Sequence, residues 1–291
     1  MIQNNPILKV ENLKVEFPIF GGILQRKISS IKALRGVSFE LIKGETLGIV
    51  GESGSGKSTL GNAILNVLRL TAPEVSVSGR ISMVIENIDT ELVGLSRKDM
   101  KPHRKHIQMI FQDPYSSLNP RMIIKDIIRE PLNINSRLTN AEKDEKVAWL
   151  LNKVGLTSEQ SNRYPHEFSG GQRQRIGIAR SLATDPDIII ADEPVSALDV
   201  SIQAQIINLM MDLQDEFNLS IIFIAHDLSV VKHISDRVGV MYNGELVEIN
   251  ETGNLFNDPT HDYTKELLRA IPIPDPSGRE DRKMARINNQ D

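Results

Sequence analysis

Short runs of apolar residues alternate along this chain with longer stretches in which apolar positions recur at helical spacing. A short apolar run followed by turn-forming or polar residues is typical of a strand buried on both faces. Its alternation with helical stretches predicts βα units around a mainly parallel sheet. Four runs have this character: residues 46–50, 107–111, 188–192 and 220–225.

Other segments alternate apolar with polar residues, as strands with one solvated face do. Residues 8–15 and 37–42 follow this pattern, which predicts antiparallel strands near the start of the chain. Residues 238–242 and 245–249 flank Asn243-Gly244, and this dipeptide supplies the positive φ angles of a tight hairpin turn. We therefore expect an antiparallel β sub-domain near the start and a hairpin towards the end.

Helical spacing dominates the middle of the chain, and residues 59–70 and 140–154 are predicted helices. We expect a helical sub-domain at about residues 115–178, inserted into a main domain of residues 1–260. Residues 261–291 would form a C-terminal extension. We predict that it is partly disordered, because three prolines between residues 272 and 276 are followed by mixed charges.

The composition excludes several classes of protein. A net charge of −4 offers no general attraction to nucleic acid, so we expect no nucleic-acid partner. The absence of cysteine from the sequence excludes disulfides, thiolate zinc sites and cysteine-ligated iron–sulfur clusters. The longest apolar runs fall far short of the ~20 residues of a membrane-spanning helix. If the protein serves a membrane, we expect it to dock there through a partner.

A glycine-rich segment follows the first buried run and matches the phosphate-binding P-loop pattern in full: Gly51-Glu52-Ser53-Gly54-Ser55-Gly56-Lys57-Ser58. Its glycines let backbone amides turn inward as an anion nest, the Lys57 ammonium reaches the β- and γ-phosphates, and the Ser58 hydroxyl is a ligand for Mg²⁺. The next helix points its N-terminus at the same phosphates. The residues expected to contact nucleotide here are Gly51, Ser53, Gly54, Ser55, Gly56, Lys57, Ser58 and Thr59.

Two adjacent acids, Asp192 and Glu193, lie at the end of the apolar run 188–192. Carboxylates at the end of a hydrophobic strand are costly unless a cation or a proton-transfer role balances them. Together with the P-loop, they predict that Asp192 holds Mg²⁺ through water and that Glu193 is the catalytic base.

The segment Phe168-Ser169-Gly170-Gly171-Gln172 precedes a further predicted helix. A serine and two glycines that open a helix form an anion site by the same physics as the P-loop. The segment resembles the signature motif of the ATP-binding-cassette (ABC) ATPases, with Phe168 where that family most often has leucine. In the family this site faces the γ-phosphate held by the opposite subunit. The resemblance implies that Ser169, Gly170, Gly171 and Gln172 bind nucleotide in trans.

Other family markers follow in order. Gln112 is similar to the Q-loop glutamine, which contacts Mg²⁺ and the attacking water, and His226 matches the switch histidine near the γ-phosphate. Asp199 closes a segment that resembles the D-loop at the dimer interface. Phe17 lies where the family places an aromatic residue against adenine, and a plain core role for its ring is the alternative.

Two longer segments narrow the resemblance to dipeptide and oligopeptide importer ATPases. Residues 111–121 look like the Q-loop extension of these proteins, and residues 259–268 look like the start of their C-terminal region. We expect exposed positions in the first segment, for instance Tyr115 and Leu118, to transmit changes between ATPase and permease. A core role for both side chains is the alternative.

The resemblance implies an α/β fold of the ABC-type P-loop NTPases, with a mainly parallel core sheet, an antiparallel β sub-domain and an inserted helical sub-domain. It implies ATP hydrolysis with ATP and Mg²⁺ as cofactors, in which Glu193, His226, Lys57 and Gln112 are catalytic and Ser58, Gln112 and Asp192 hold the metal.

The partners implied by the resemblance are a second ABC ATPase subunit or another copy as a dimer, two transmembrane permease subunits and an extracytoplasmic peptide-binding protein. The chain would lie peripherally at the cytoplasmic face of the plasma membrane. Nickel, metallophore or other cargo stays open. A soluble ABC ATPase is the alternative from another class.

Overall fold

The computed structural model describes residues 5–21, 26–85 and 88–270 and contains a four-stranded and a six-stranded sheet. The strands are β1 (Pro6–Gly21), β2 (Arg26–Ile42), β3 (Thr46–Val50), β4 (Ser76–Ile85), β5 (Ile88–Glu91), β6 (Ile107–Ile110), β7 (Ile188–Asp192), β8 (Ser220–Ile224), β9 (Arg237–Tyr242) and β10 (Glu245–Glu251). The helices are α1 (Lys57–Ile64), α2 (Leu68–Thr71), α3 (Arg97–Met100), α4 (Ile124–Asn135), α5 (Asn140–Lys153), α6 (Gly170–Leu182), α7 (Val200–Phe217), α8 (Leu228–Ile234), α9 (Thr252–Asn257) and α10 (Asp262–Arg269).

The larger sheet has the order β10-β9-β3-β8-β7-β6, and all neighbours are parallel except β10, which pairs antiparallel with β9. The four apolar runs of the sequence are its strands β3, β6, β7 and β8. Because these strands are parallel, their carboxyl ends meet at one edge of the sheet. The segments that follow them carry the P-loop, Gln112, Glu193 and His226, so the fold gathers the candidate residues at that edge.

The two faces of this sheet are buried in different clusters. Along β7, Ile188 and Ile190 join a core shared with α1 and the antiparallel sheet, whereas Ile189 and Ala191 join a core shared with α6 and α7. This is the alternation that the period-two geometry of a strand requires. Strands buried on both faces explain why these segments are continuously apolar.

The smaller sheet is antiparallel with the order β2-β1-β4-β5, as the alternating pattern near the start predicts. Both of its first strands are longer than predicted, since β1 reaches Gly21 and β2 begins at Arg26. Within this long hairpin Phe17 pairs with Ile31, and the Phe17 side chain packs against the core.

The prediction of one helix over residues 59–70 is wrong. Helix α1 ends at Ile64, and α2 begins only at Leu68. Between them Asn66 adopts a left-handed φ of 52°, and its side-chain amide donates hydrogen bonds to the carbonyl oxygens of Leu92 (3.2 Å) and Leu95 (3.1 Å). Asparagine tolerates this conformation, and the two bonds to a distant loop favour a break over a continuous helix.

Helices α4, α5 and α6 follow β6 and precede β7 in the chain, and they pack against one another. They bury a cluster that includes Ile128, Leu150 and Phe168. The Q-loop extension leads into this region, and Tyr115 and Leu118 differ in exposure there. Tyr115 is 59% exposed, but Leu118 is 1% exposed and lies in the core, so the expectation that Leu118 is exposed is wrong. The boundaries of the helical sub-domain stay a prediction.

The C-terminal part of the described chain returns to the main body. Helix α10 lies beyond the predicted boundary at residue 260, yet Tyr263 and Thr264 on it are buried. The rest of the predicted extension, residues 271–291, lies outside the described residues. Among the described helices, none combines the length and apolar character of a membrane-spanning segment.

Candidate nucleotide site

The P-loop connects β3 to α1, and its conformation depends on glycine. Gly51, Gly54 and Gly56 have φ angles of 147°, 83° and 105°, which side-chain-bearing residues rarely adopt. A Cβ atom on Gly51 would overlap the carbonyl oxygen of Met241, and one on Gly56 would lie 2.6 Å from the carbonyl oxygen of Ala33. The loop therefore has the shape of an anion nest at the start of α1.

Lys57 is the first residue of α1 and is 5% exposed. Its ammonium donates hydrogen bonds to the carbonyl oxygens of Gly51 (2.6 Å) and Glu52 (2.8 Å). Burial lowers the pKa of Lys57, and the nearby carboxylates of Glu193, Asp192 and Glu52 oppose that shift. The P-loop thus holds the Lys57 ammonium across the nest. A phosphate bound in the nest would place a negative charge next to this buried ammonium.

Asp192 at the end of β7 faces the P-loop. The Ser58 hydroxyl donates a hydrogen bond of 3.0 Å to its carboxylate. Burial raises the pKa of Asp192, the Ser58 hydrogen bond lowers it, and the charge of Glu193 raises it. A buried carboxylate with this surplus of negative charge beside it is an environment that a cation stabilises.

Glu193 adopts a left-handed φ of 44°, which costs roughly 1–3 kcal/mol in a residue other than glycine. Its amide donates to the carbonyl oxygen of Ile224 (2.9 Å), and this bond holds it against β8. The side chain meets two of the predicted catalytic residues. The Gln112 amide nitrogen lies 2.9 Å and the His226 Nδ1 lies 3.3 Å from the same carboxylate oxygen, Oε2. The structure therefore brings Gln112, Glu193 and His226 together.

A cavity of about 370 Å³ opens in front of these groups. Its walls include predicted residues and others that the sequence did not mark. Those predicted are Ser53, Gly54, Gly56, Lys57, Ser58, Thr59, Gln112 and Glu193. The others are Ile31, Lys32, Ala33 and Arg35 from β2, with Asn243 and Gly244 from the turn between β9 and β10. The Asn-Gly signal identifies that turn, but only the fold shows that the Gly244 amide donates to the Ser55 carbonyl (3.0 Å).

Phe17 is not among the residues that line this cavity. Its backbone partner Ile31 does line it, and the Phe17 ring packs against the core, which corresponds to the alternative role for this residue. Contact of Phe17 with adenine stays a prediction.

The signature residues lie elsewhere in the single chain. Ser169 caps α6 by accepting a hydrogen bond from the Gln172 amide (3.3 Å), and neither it nor Gly170, Gly171, Gln172 or Asp199 lines the cavity. Leu198, which immediately precedes Asp199 in the D-loop segment, packs close to the N-terminus of α6. A Cβ atom on Gly170 would lie 3.4 Å from the Leu198 side chain. The Q-loop extension reaches this helix start too. Arg173 on α6 lies over the Tyr115 ring at 4.1 Å.

The three predicted metal ligands all carry oxygen atoms that can bind a cation. Ser58, Asp192 and Gln112 offer a hydroxyl, a carboxylate and an amide oxygen, and Gln112 makes its hydrogen bond to Glu193 through nitrogen. Mg²⁺ prefers oxygen ligands and is held by one or two carboxylates together with phosphates and water. The residues present therefore fit Mg²⁺ at the mouth of the P-loop.

A P-loop between a buried strand and a helix, faced by the two carboxylates at the end of β7, defines a P-loop nucleoside triphosphatase. A family model described as ABC transporter matches residues 34–196 of this sequence. This match covers more than half of the chain, so the chain belongs to the ABC transporter family of ATPases. A second model, the C-terminal region of oligopeptide/dipeptide transporters, matches residues 247–290.

Relatives with curated names agree with this assignment. The chain is 54% identical over 267 residues to the oligopeptide transport ATP-binding protein AppF of Bacillus subtilis, which covers 92% of this chain and 78% of AppF. It is 53% identical to OppF of the same organism over 95% of this chain and 86% of OppF. It is 50% identical to the glutathione import ATP-binding protein GsiA of Escherichia coli strain K12, over 95% of this chain but 43% of GsiA.

Solved structures of ABC ATPases have the same fold. The dimeric ATP-binding cassette MJ0796, in a post-hydrolysis state bound to ADP and Pi, matches with a TM-score of 0.68 and 28% identity over 84% of this chain and 98% of its own. The protein cbiO1 of Clostridium perfringens matches with a TM-score of 0.70 and 28% identity over 92% of this chain and 96% of its own. The predicted ABC-type fold and ATP hydrolase class are confirmed.

Asp192→Asn is expected to abolish Mg²⁺-dependent hydrolysis without loss of thermal stability. The amide oxygen can still accept the Ser58 hydrogen bond, and a buried neutral amide is less costly than a buried carboxylate. Hydrolysis is measured with Mg²⁺-ATP, and melting temperature is measured without nucleotide, on the parent, the variant and the exposed control Asp99→Asn. A variant that melts well below the parent would mean that the Asp192 carboxylate is needed for folding.

Proposed function

We propose that this chain is the Mg²⁺-dependent ATP-hydrolysing subunit of a peptide importer. The observation that supports the cargo class is the match of residues 247–290 to the C-terminal region of oligopeptide/dipeptide transporters. The same chain has a cavity lined by the P-loop, Gln112 and Glu193. The names of its relatives support the same class, because glutathione is itself a short peptide.

The chemistry is phosphoryl transfer to water, in which the protein contributes mainly position and electrostatics. In the proposed mechanism the P-loop amides and Lys57 bind the β- and γ-phosphates. Ser58, Asp192 and Gln112 would hold Mg²⁺, which neutralises developing phosphate charge. Glu193 accepts a proton from the attacking water.

The contacts around Glu193 support its role as the base. The strained backbone and the hydrogen bond to Ile224 fix the position of the Glu193 backbone. Gln112 and His226 both contact the same oxygen of the Glu193 carboxylate. The other oxygen is then available to orient water. His226 is 60% exposed along its side chain, so it can turn from Glu193 towards a γ-phosphate.

We further propose that the active unit is a dimer with a second ABC ATPase subunit. The support is that Ser169, Gly170, Gly171, Gln172 and Asp199 do not line the cavity of their own chain. These residues would complete the site of the partner, and the partner's equivalents would complete this one. ATP would then favour the closed pair, and this difference in affinity is what drives a conformational cycle.

A groove beside the Q-loop fits the contact with a permease. It has a volume of about 300 Å³ and lies between α4 and the sheet, where Phe111 and Ile134 are 45% and 56% exposed. Arg180 lines it as well, and burial lowers its pKa. The Arg180 guanidinium donates a hydrogen bond of 2.6 Å to the Ser117 carbonyl, which ties the groove wall to the Q-loop extension.

We propose that a helical segment of a permease occupies this groove. The support is that exposed apolar side chains line a concave surface next to the Q-loop, and such grooves are typical of interaction sites. Two permease subunits and an extracytoplasmic peptide-binding protein would complete the importer. The chain would lie on the cytoplasmic face of the plasma membrane.

Tyr115→Ala is expected to reduce peptide uptake much more than basal ATP hydrolysis. Tyr115 is exposed and touches no catalytic group, but its ring lies under Arg173 at the start of the signature helix. Loss of the ring should uncouple the Q-loop extension from that helix. Uptake of a labelled oligopeptide and of Ni²⁺ is measured in cells that express the variant, and basal hydrolysis is measured on the purified chain.

Tyr115→Phe keeps the ring over Arg173 and is the matched control, with uptake expected near that of the parent. Peptide uptake unchanged in Tyr115→Ala would remove Tyr115 from the transmission route. Loss of Ni²⁺ uptake with normal peptide uptake would contradict the proposed cargo.

A further inference from the structure

Helix α10, the last helix in the described part of the chain, contacts the P-loop through Tyr263. The backbone amide of Glu52 donates a hydrogen bond of 3.2 Å to the Tyr263 hydroxyl, which lies 211 residues further along the chain. Tyr263 is 8% exposed, and burial raises the pKa of its hydroxyl, so this oxygen is neutral at physiological pH. A residue of the region matched to oligopeptide/dipeptide transporters therefore forms part of the support of the nucleotide site.

Two features hold Tyr263 in place: the packing of its ring and the anchoring of the segment that precedes α10. Its ring packs against that of Tyr242, with centroids 4.2 Å apart and ring planes tilted by 32°. Tyr242 immediately precedes the Asn243-Gly244 turn, which lines the cavity. The segment that leads into α10 is anchored by Glu248 on β10, whose carboxylate accepts hydrogen bonds from the Thr260 amide (2.9 Å), the Thr260 hydroxyl (2.9 Å) and the His261 amide (3.0 Å). The tyrosine is thus presented to the P-loop by an ordered support.

The peptide group between Gly51 and Glu52 is held from both sides. Its N–H group, that of Glu52, donates to the Tyr263 hydroxyl, while its carbonyl oxygen, that of Gly51, accepts from the Lys57 ammonium at 2.6 Å. The N–H and C=O groups of a trans peptide point in opposite directions. The bond to Tyr263 therefore directs the Gly51 carbonyl towards the lysine that binds phosphate. Rotation of this peptide would move the Lys57 acceptor and change the shape of the nest.

We infer that Tyr263 is a positioning residue of the nucleotide site, and that its hydroxyl sets ATP affinity by holding the peptide group between Gly51 and Glu52. It contacts neither the cavity nor a catalytic group among the described residues, so it acts through the P-loop. The inference concerns the ATP site alone and holds for any cargo. Its failure would leave the proposed importer function untouched.

Tyr263→Phe removes only the hydroxyl. The Glu52 amide then loses its acceptor, and the loop must be reordered when ATP binds. One hydrogen bond of this kind predicts a rise of roughly 2- to 10-fold in the ATP Kd and in KM. The kcat at saturating ATP should change by less than about two-fold, because Glu193, Gln112 and His226 keep their contacts.

Tyr242→Phe is the matched control. It makes the same chemical change in the other ring of the contacting pair, and the Tyr242 hydroxyl has no hydrogen bond within the described part of the chain. Its Kd and KM should equal those of the parent. Measurements on the full chain are ATP Kd, KM, kcat, melting temperature and hydrogen exchange at the Glu52 amide, where exchange should be faster only in Tyr263→Phe.

An unchanged Kd in Tyr263→Phe would overturn the inference, and so would unchanged exchange at Glu52, which would mean that the bond does not form. Equal weakening in both variants would assign the effect to ring packing instead of the hydroxyl. A fall in kcat at constant KM would likewise contradict a positioning role in ATP binding.

Discussion

Glu193→Gln is expected to slow ATP hydrolysis by roughly 10²–10⁴-fold, the contribution typical of a positioned general base. The amide preserves the shape of the side chain and can still accept the Gln112 hydrogen bond, so the site keeps its geometry. ATP binding should survive, and ATP-bound dimers should accumulate because the step that separates them is blocked. Turnover is measured at saturating Mg²⁺-ATP, and the dimer fraction by size exclusion with light scattering.

Glu74→Gln, at an exposed loop position, makes the same change of charge and serves as control with turnover equal to that of the parent. Hydrolysis of the Glu193 variant at the parental rate would exclude this residue as the base. Slow hydrolysis without ATP-dependent dimers would contradict the composite site.

Lys57→Ala is expected to abolish measurable ATP binding, and with it hydrolysis. The P-loop carbonyl groups hold the Lys57 ammonium across the nest. Loss of this ammonium removes a charge-assisted contact to phosphate. The structure adds an effect on stability, because the Gly51 carbonyl oxygen loses a donor in a buried position and the Glu52 carbonyl oxygen loses one in a partly buried position. The free energy of unfolding should fall by about 1–3 kcal/mol, while the fold is retained.

The exposed Lys43→Ala removes one positive charge elsewhere on the surface and should bind ATP normally. Binding is measured by equilibrium titration with a fluorescent ATP analogue, alongside circular dichroism. A folded Lys57→Ala protein that binds ATP as the parent does would contradict the assignment of the P-loop.

The sequence predicts the elements whose signals are local. The bounds of β3 and β7 agree with the predicted runs, because strands buried on both faces are apolar from end to end and stop abruptly. The P-loop, the strand-end acids and the signature segment are recognisable for the same reason, since each needs particular residue types at fixed spacing. Their assembly then follows from the parallel order of the strands.

Features that depend on distant contacts were not predicted. Asn66 breaks a helix because it bonds to Leu92 and Leu95, and nothing near Asn66 in the sequence signals that. The sequence predicts that Leu118 lies in an exposed loop, but its side chain is buried in the same hydrophobic cluster as residues of α4. The sequence predicts a hairpin turn at Asn243-Gly244, but the position of this turn in the cavity wall depends on the packing of β9 beside β3.

The measurement that tests the central claim most directly is ATP hydrolysis by this chain in vesicles that also contain its partner ATPase and two permeases. The rate is compared with the binding protein empty and loaded with an oligopeptide. We predict stimulation by the loaded form, and none when the chain carries Glu193→Gln. A rate that is the same for empty and loaded binding protein would contradict coupling of this ATPase to peptide import.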